Sequence, residues 1–79
     1  MKKTFKIGEY AIGGIITVQT YGQSGVMLQA KDWHTGKVIR EVTTDNKQEI
    51  YNTLLDWTSS YYTDKVYDWI EANVKQGVY

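Results

Sequence analysis

No cysteine occurs in the 79 residues, and no proline. The first absence removes disulfides and thiolate metal sites as staples for the fold. The second leaves every segment free of the residue that most strongly breaks helices and central strands. A single histidine, His34, excludes a histidine-rich metal cluster within one chain. Long apolar runs are missing too. The longest, Ala11 to Val18, is interrupted by Gly13, Gly14 and Thr17, whereas a membrane-crossing helix needs about 20 apolar residues. Met1-Lys2-Lys3 is basic like the start of a signal peptide, but Lys6, Gly8 and Glu9 follow it in place of an apolar stretch. The expectation is a soluble chain of cytoplasmic location that crosses no membrane.

Net charge is also absent, but only in total. Residues 1–43 hold six basic side chains against three acidic ones, and residues 44–79 hold three basic against six acidic. The halves are therefore net +3 and net −3. Such polarity acts on encounter and orientation of partners, not on catalysis. What the chain has in abundance is aromatic area: three Trp, seven Tyr and one Phe. A domain this short buries only about 60% of its unfolded surface, so large side chains must carry its core. One domain over residues 1–79 is expected.

The charge border is also a border in periodicity. Phe5 and Ile7 alternate with Lys6 and Gly8, and the β-branched run Ile15 to Tyr21 favours a pleated surface with Ile16, Val18 and Thr20 on one side. Gly22 to Gly25 has the composition of a hairpin loop. Val26, Leu28 and Ala30 then alternate with polar neighbours, and Asp32 to Gly36 reads as a turn. Lys37 to Thr43 forms a last strand whose pattern leaves its buried face open.

After Thr44 the next glycine is Gly77, and helical stripes appear: Ile50, Tyr51, Leu54, Leu55 and Trp57, then Tyr62, Val66, Trp69, Ile70 and Val74. They fit one helix of about 30 residues or two, because the second stripe is rotated by roughly a quarter turn. The weak helix formers Thr58 to Tyr61 argue for two, with Ser59 or Ser60 as the second cap, Asp45 with Gln48 as the first capping box, and Gly77 as the final stop. The expected fold is α+β in two layers: an antiparallel sheet of three or four strands followed by two C-terminal helices packed on one face.

Few residues are equipped for chemistry. His34, the one imidazole, has no nucleophile elbow to serve, since Ser24 sits in the hairpin loop. His34-Thr35-Gly36-Lys37 lacks the glycine and hydroxyl that complete a phosphate loop, and Val38 stands where the hydroxyl belongs. Asp64, Asp68 and Glu71, with Asp56 upstream, lie at helical spacing as a solvated face or an acidic docking face, splayed too widely for a metal. Neither metal nor cofactor is expected.

Two binding readings remain. In the first, a non-enzymatic module binds a protein through the aromatic anchors Trp33, Tyr61 and Tyr67, oriented by Asp56, Asp64, Asp68 and Glu71. In the second, Lys2, Lys3, Lys6, Lys31, Lys37 and Arg40, interleaved with Tyr10, Tyr21 and Trp33, bind nucleic acid. Self-association through the helix aromatics or a sheet edge is a further option. The hairpin, the Lys37–Thr43 strand and the capped helix at Asp45 together give an outline that resembles small phage-encoded inhibitors of the anti-CRISPR type. That resemblance implies a host protein complex as partner and inhibition by occupying one of its surfaces. No motif carries functional residues across.

Overall fold

A computed structural model describes residues 1–22 and 24–74. Strands β1 (Lys2–Lys6), β2 (Gly14–Tyr21), β3 (Gly25–Asp32) and β4 (Val38–Thr44) form one antiparallel sheet in chain order, and α1 (Lys47–Trp57) and α2 (Ser60–Asn73) follow. The chain is thus an α+β protein with two helices after a four-stranded sheet. A single 3-10 turn, Gly8–Tyr10, separates β1 from β2.

Register explains which side chains meet the helices. Ile16 pairs with Phe5 and Ala30, and Val18 with Lys3 and Leu28. Opposed residues share a face, so Ile16, Val18, Val26, Leu28 and Ala30 line the inner side. All five are fully buried, against Ile50, Leu54, Val66 and Ile70 of the helices. The same rule resolves the ambiguous last strand. Val42 opposes Leu28 and Arg40 opposes Ala30, so both point to the helix side, while Glu41 opposes Gln29 on the outer side. A register shift between Ala30 and Lys31 places Val38 opposite Lys31, which is why simple alternation fails along β4.

Two capping assignments differ in outcome. Ser59 does cap α2, its hydroxyl accepting from the Tyr62 amide at 3.4 Å. The cap of α1 is Asn46, not Asp45: Asn46 Oδ1 accepts from the Glu49 amide at 3.0 Å. Asp45/Gln48 and Asn46/Glu49 share one spacing. The choice falls to Thr44, whose hydroxyl accepts from the Asn46 amide at 3.0 Å and donates to the Glu49 carboxylate at 2.6 Å. Gly77, expected to end α2, lies outside the described residues.

The break between the helices is held from outside. Thr58 is extended and forms a lone antiparallel bridge with Ala11, its hydroxyl donates to the Tyr10 carbonyl, and the Ile12 amide donates to the Trp57 carbonyl at 2.9 Å. The segment after β1 therefore reaches across the sheet end to tie down the helices. Gly13 and Gly14 permit this, at φ +69° and +99°. A Cβ on Gly13 would stand 2.5 Å from the Lys31 carbonyl oxygen, and one on Gly14 would stand 3.1 Å from Trp33 Cβ. The approach at Gly13 leaves no room for a Cβ, and at Gly14 the positive φ together with a tight contact favours glycine.

Candidate functional site

Trp33 is the most distinctive exposed side chain. It follows β3 in a turn fixed by Asp32, whose Oδ1 accepts from the His34 amide at 2.8 Å and the Thr35 amide at 2.9 Å. These two backbone donors, Thr35 first and then His34, hold the Asp32 carboxyl below its ordinary pKa. The Trp33 amide donates to the Gly13 carbonyl at 2.6 Å, and the ring lies over Gly14. The indole is therefore seated from below yet 50% exposed. It forms the wall between two shallow concavities, one shared with Gly8, Glu9 and Ala11, the other with Lys6 and Ile15.

A second aromatic group starts at Tyr10, next to Glu9 in the chain. The Tyr10 ring, 56% exposed, lies 5.6 Å from that of Tyr62, which meets Tyr61 edge-on at 5.0 Å. Tyr61 is 61% exposed and carries the Lys65 ammonium 4.9 Å from its ring centre. Trp33 and Tyr61 both lie at the end of the molecule that the Ala11–Thr58 bridge ties together, Trp33 beside Ala11 and Tyr61 shortly after Thr58. Sequence reasoning placed Tyr10 on a basic sheet and Tyr62 in a core stripe. No local pattern could have joined them, because the Ala11–Thr58 bridge that does so spans 47 positions.

Tyr67 does not join this band. It is half-buried and stacks edge-on with Tyr51 at 5.4 Å, where burial, then Glu71, pushes its hydroxyl above its ordinary pKa. Tyr51 in turn donates to the Asp64 carboxylate at 2.8 Å, and that bond raises the Tyr51 pKa. Glu71 pairs with Lys47 at 3.7 Å. Tyr67, Asp64 and Glu71 are therefore engaged in the seam between α1 and α2. Asp56 and Asp68 are exposed, which leaves them as the acidic residues free of this seam.

The basic residues are not united either. Lys2, Lys6 and Lys31 alternate to the outer sheet face, whereas Lys3 and Arg40 point to the helix side at opposite edges. Tyr21 is on the outer face but at the end of β2 remote from Gly14 and Trp33. Ser24 and His34 flank β3 at opposite ends, with the eight residues of the strand and Trp33 between them, about 27 Å of strand, so a Ser–His pairing is ruled out. Among the described residues no group of three or more His, Cys, Asp or Glu gathers as metal ligands, and no helix is long and apolar enough to cross a membrane.

No family model, no curated protein and no solved structure matches this chain.

Proposed function

We propose that this chain is a non-enzymatic protein-binding module that engages its partner with the aromatic end formed by Trp33, Tyr10, Tyr62 and Tyr61. The observation that carries this reading is the seating of Trp33. Its backbone is locked to Gly13 and its turn is locked by Asp32, yet half of its surface is open to water. Trp and Tyr are the residues most enriched at energetic centres of interfaces. A side chain already held in place also loses little entropy on binding. The exposed Asp68 and Asp56 on the helices add an acidic field that orients the approach of a partner without holding it. A small module of this kind acts in the cytoplasm as an accessory or inhibitor by covering a surface that its partner needs.

The test is affinity capture from a lysate with three baits: the wild type, Trp33→Ala, and Asp56→Lys with Asp68→Lys. The expected result is a protein recovered by the wild type, lost with Trp33→Ala and retained in reduced amount by the helix variant. Recovery of the same proteins by Trp33→Ala and wild type in equal amounts contradicts the reading.

A further inference from the structure

The concavity that Trp33 shares with Glu9 narrows the chemistry of the partner. It holds about 420 Å³, room for one long side chain. Three glycines and Ala11 line it beside the side chains of Glu9, Trp33 and His34, so little of this protein's own bulk fills it. An apolar ring and a carboxylate therefore face the same space. Resting on the protein-binding reading above, we infer that this concavity takes an arginine side chain of the partner, its guanidinium plane stacked on the Trp33 indole and its N–H groups donating to the Glu9 carboxylate.

Three observations carry this. First, the ring is held before any ligand arrives. The Trp33 amide is bonded to the Gly13 carbonyl, and the ring atom Cε3 stands 3.3 Å from where a Cβ on Gly14 would lie. Among the described residues the cations that sit over rings are Lys3 on Phe5 at 5.9 Å and Lys65 on Tyr61 at 4.9 Å, and Trp33 bears none. Second, Glu9 is exposed, and the one ion pair among the described residues is Lys47–Glu71, on the helices. The Glu9 carboxylate is thus uncompensated. Third, the two sides of the indole differ in charge. Lys6 lines the concavity on the other side with Ile15, so a cation is repelled there and drawn to the Glu9 side. The acidic field of Asp56 and Asp68 attracts the same kind of partner.

One ring and one carboxylate also select among cations. A quaternary ammonium has no N–H to donate and is held by cages of several aromatic rings, whereas this concavity has a single ring. A lysine ammonium is a compact, strongly hydrated charge. A guanidinium is planar, stacks on an aromatic face and offers a fork of donors that matches a carboxylate. Nucleic acid fits less well, since a base stacked on Trp33 would bring its phosphate towards Glu9.

The experiment titrates the protein with an end-blocked pentapeptide, Gly-Gly-Arg-Gly-Gly, and with the same peptide carrying Lys, norleucine or Glu at its centre, at low and high salt. The expected result is that the Arg peptide binds most tightly and weakens as salt rises. It should move the Trp33 indole signal and the amide signals of Gly8, Glu9 and Gly14 in proton–nitrogen spectra. Glu9→Gln should weaken it by about threefold, and Glu9→Lys should transfer the preference to the Glu peptide. Trp33→Leu keeps an apolar cover on Gly14 but removes the ring face, and should weaken binding by about two- to fivefold with the circular dichroism of the fold unchanged. Equal binding of the Lys or norleucine peptide, unchanged affinity in Glu9→Gln, or shifts confined to Lys6 and Ile15 overturns the inference. Absence of Arg-peptide binding with Trp33-dependent capture intact removes this inference alone, whereas loss of that dependence removes the reading beneath it.

Discussion

Gly13 and Gly36 have nearly the same backbone conformation, φ +69° and +75°, in different surroundings. Nothing lies within 4 Å of a Cβ built on Gly36, whereas one built on Gly13 meets the Lys31 carbonyl oxygen at 2.5 Å and Ile39 Cδ1 at 2.5 Å. Replacing each by alanine separates two costs. The left-handed conformation alone costs about 1–2 kcal/mol, offset in part by about 0.4–1 kcal/mol of reduced freedom in the unfolded chain. Gly36→Ala should therefore destabilise by about 1 kcal/mol. Gly13→Ala adds overlap with a backbone atom that cannot rotate away, about 1–3 kcal/mol by the usual cost of overpacking, for a total of about 2–4 kcal/mol. A chain of this size has on the order of 4–12 kcal/mol in all, so the loss is a large share. At about 4–8 °C per kcal/mol, thermal unfolding followed by circular dichroism resolves the two variants easily. Equal Tm values for Gly13→Ala and Gly36→Ala would refute the close approach at Gly13, and with it the seating of Trp33.

Leu54→Ala, at a fully buried position on α1, should cost about 2–5 kcal/mol in urea unfolding, while Leu55→Ala on the exposed side changes the midpoint little. Asn46→Ala should cost about 1 kcal/mol through loss of the cap, and Asp45→Ala should be close to neutral; the reverse order in denaturant midpoints would mean that the cap is misplaced. Tyr51 and Tyr67 both have raised pKa values in the fold. The native state keeps protons that the unfolded chain releases near pH 10, so stability is whole below pH 10 and falls as pH rises past it. Tyr51→Phe should flatten that fall in unfolding measurements across the alkaline range, and an unchanged slope would contradict the Tyr51–Asp64 bond.

Strands and helices were legible because their signals are local. Val26, Leu28 and Ala30 alternate, Ile50, Leu54 and Trp57 recur at helical spacing, and Thr58 to Tyr61 weaken the helix where it breaks. The buried face of β4 was not legible, since the bulge at Ala30/Lys31 shifts the register between Val38 and Arg40. The first cap missed by one residue because the deciding contact, Thr44 to Glu49, lies outside the capping spacing. The candidate site was half legible. Exposure of Trp33 and Tyr61 followed from a turn and an off-stripe position, but their placement at one end depends on long-range bonds from Ile12 and Thr58. Tyr67, Asp64 and Glu71 were read as recognition residues because nothing local reveals that α1 supplies Tyr51 and Lys47 to meet them.

The claim on which most depends is that the Trp33–Tyr10–Tyr61 end meets another protein. Photo-crosslinking tests it most directly, with a benzophenone amino acid placed at Tyr61 in one variant and at the exposed Leu55 of α1 in another. A discrete adduct from position 61 and none from position 55 is the predicted result. Adducts from position 55 alone, or equally from both, would contradict it.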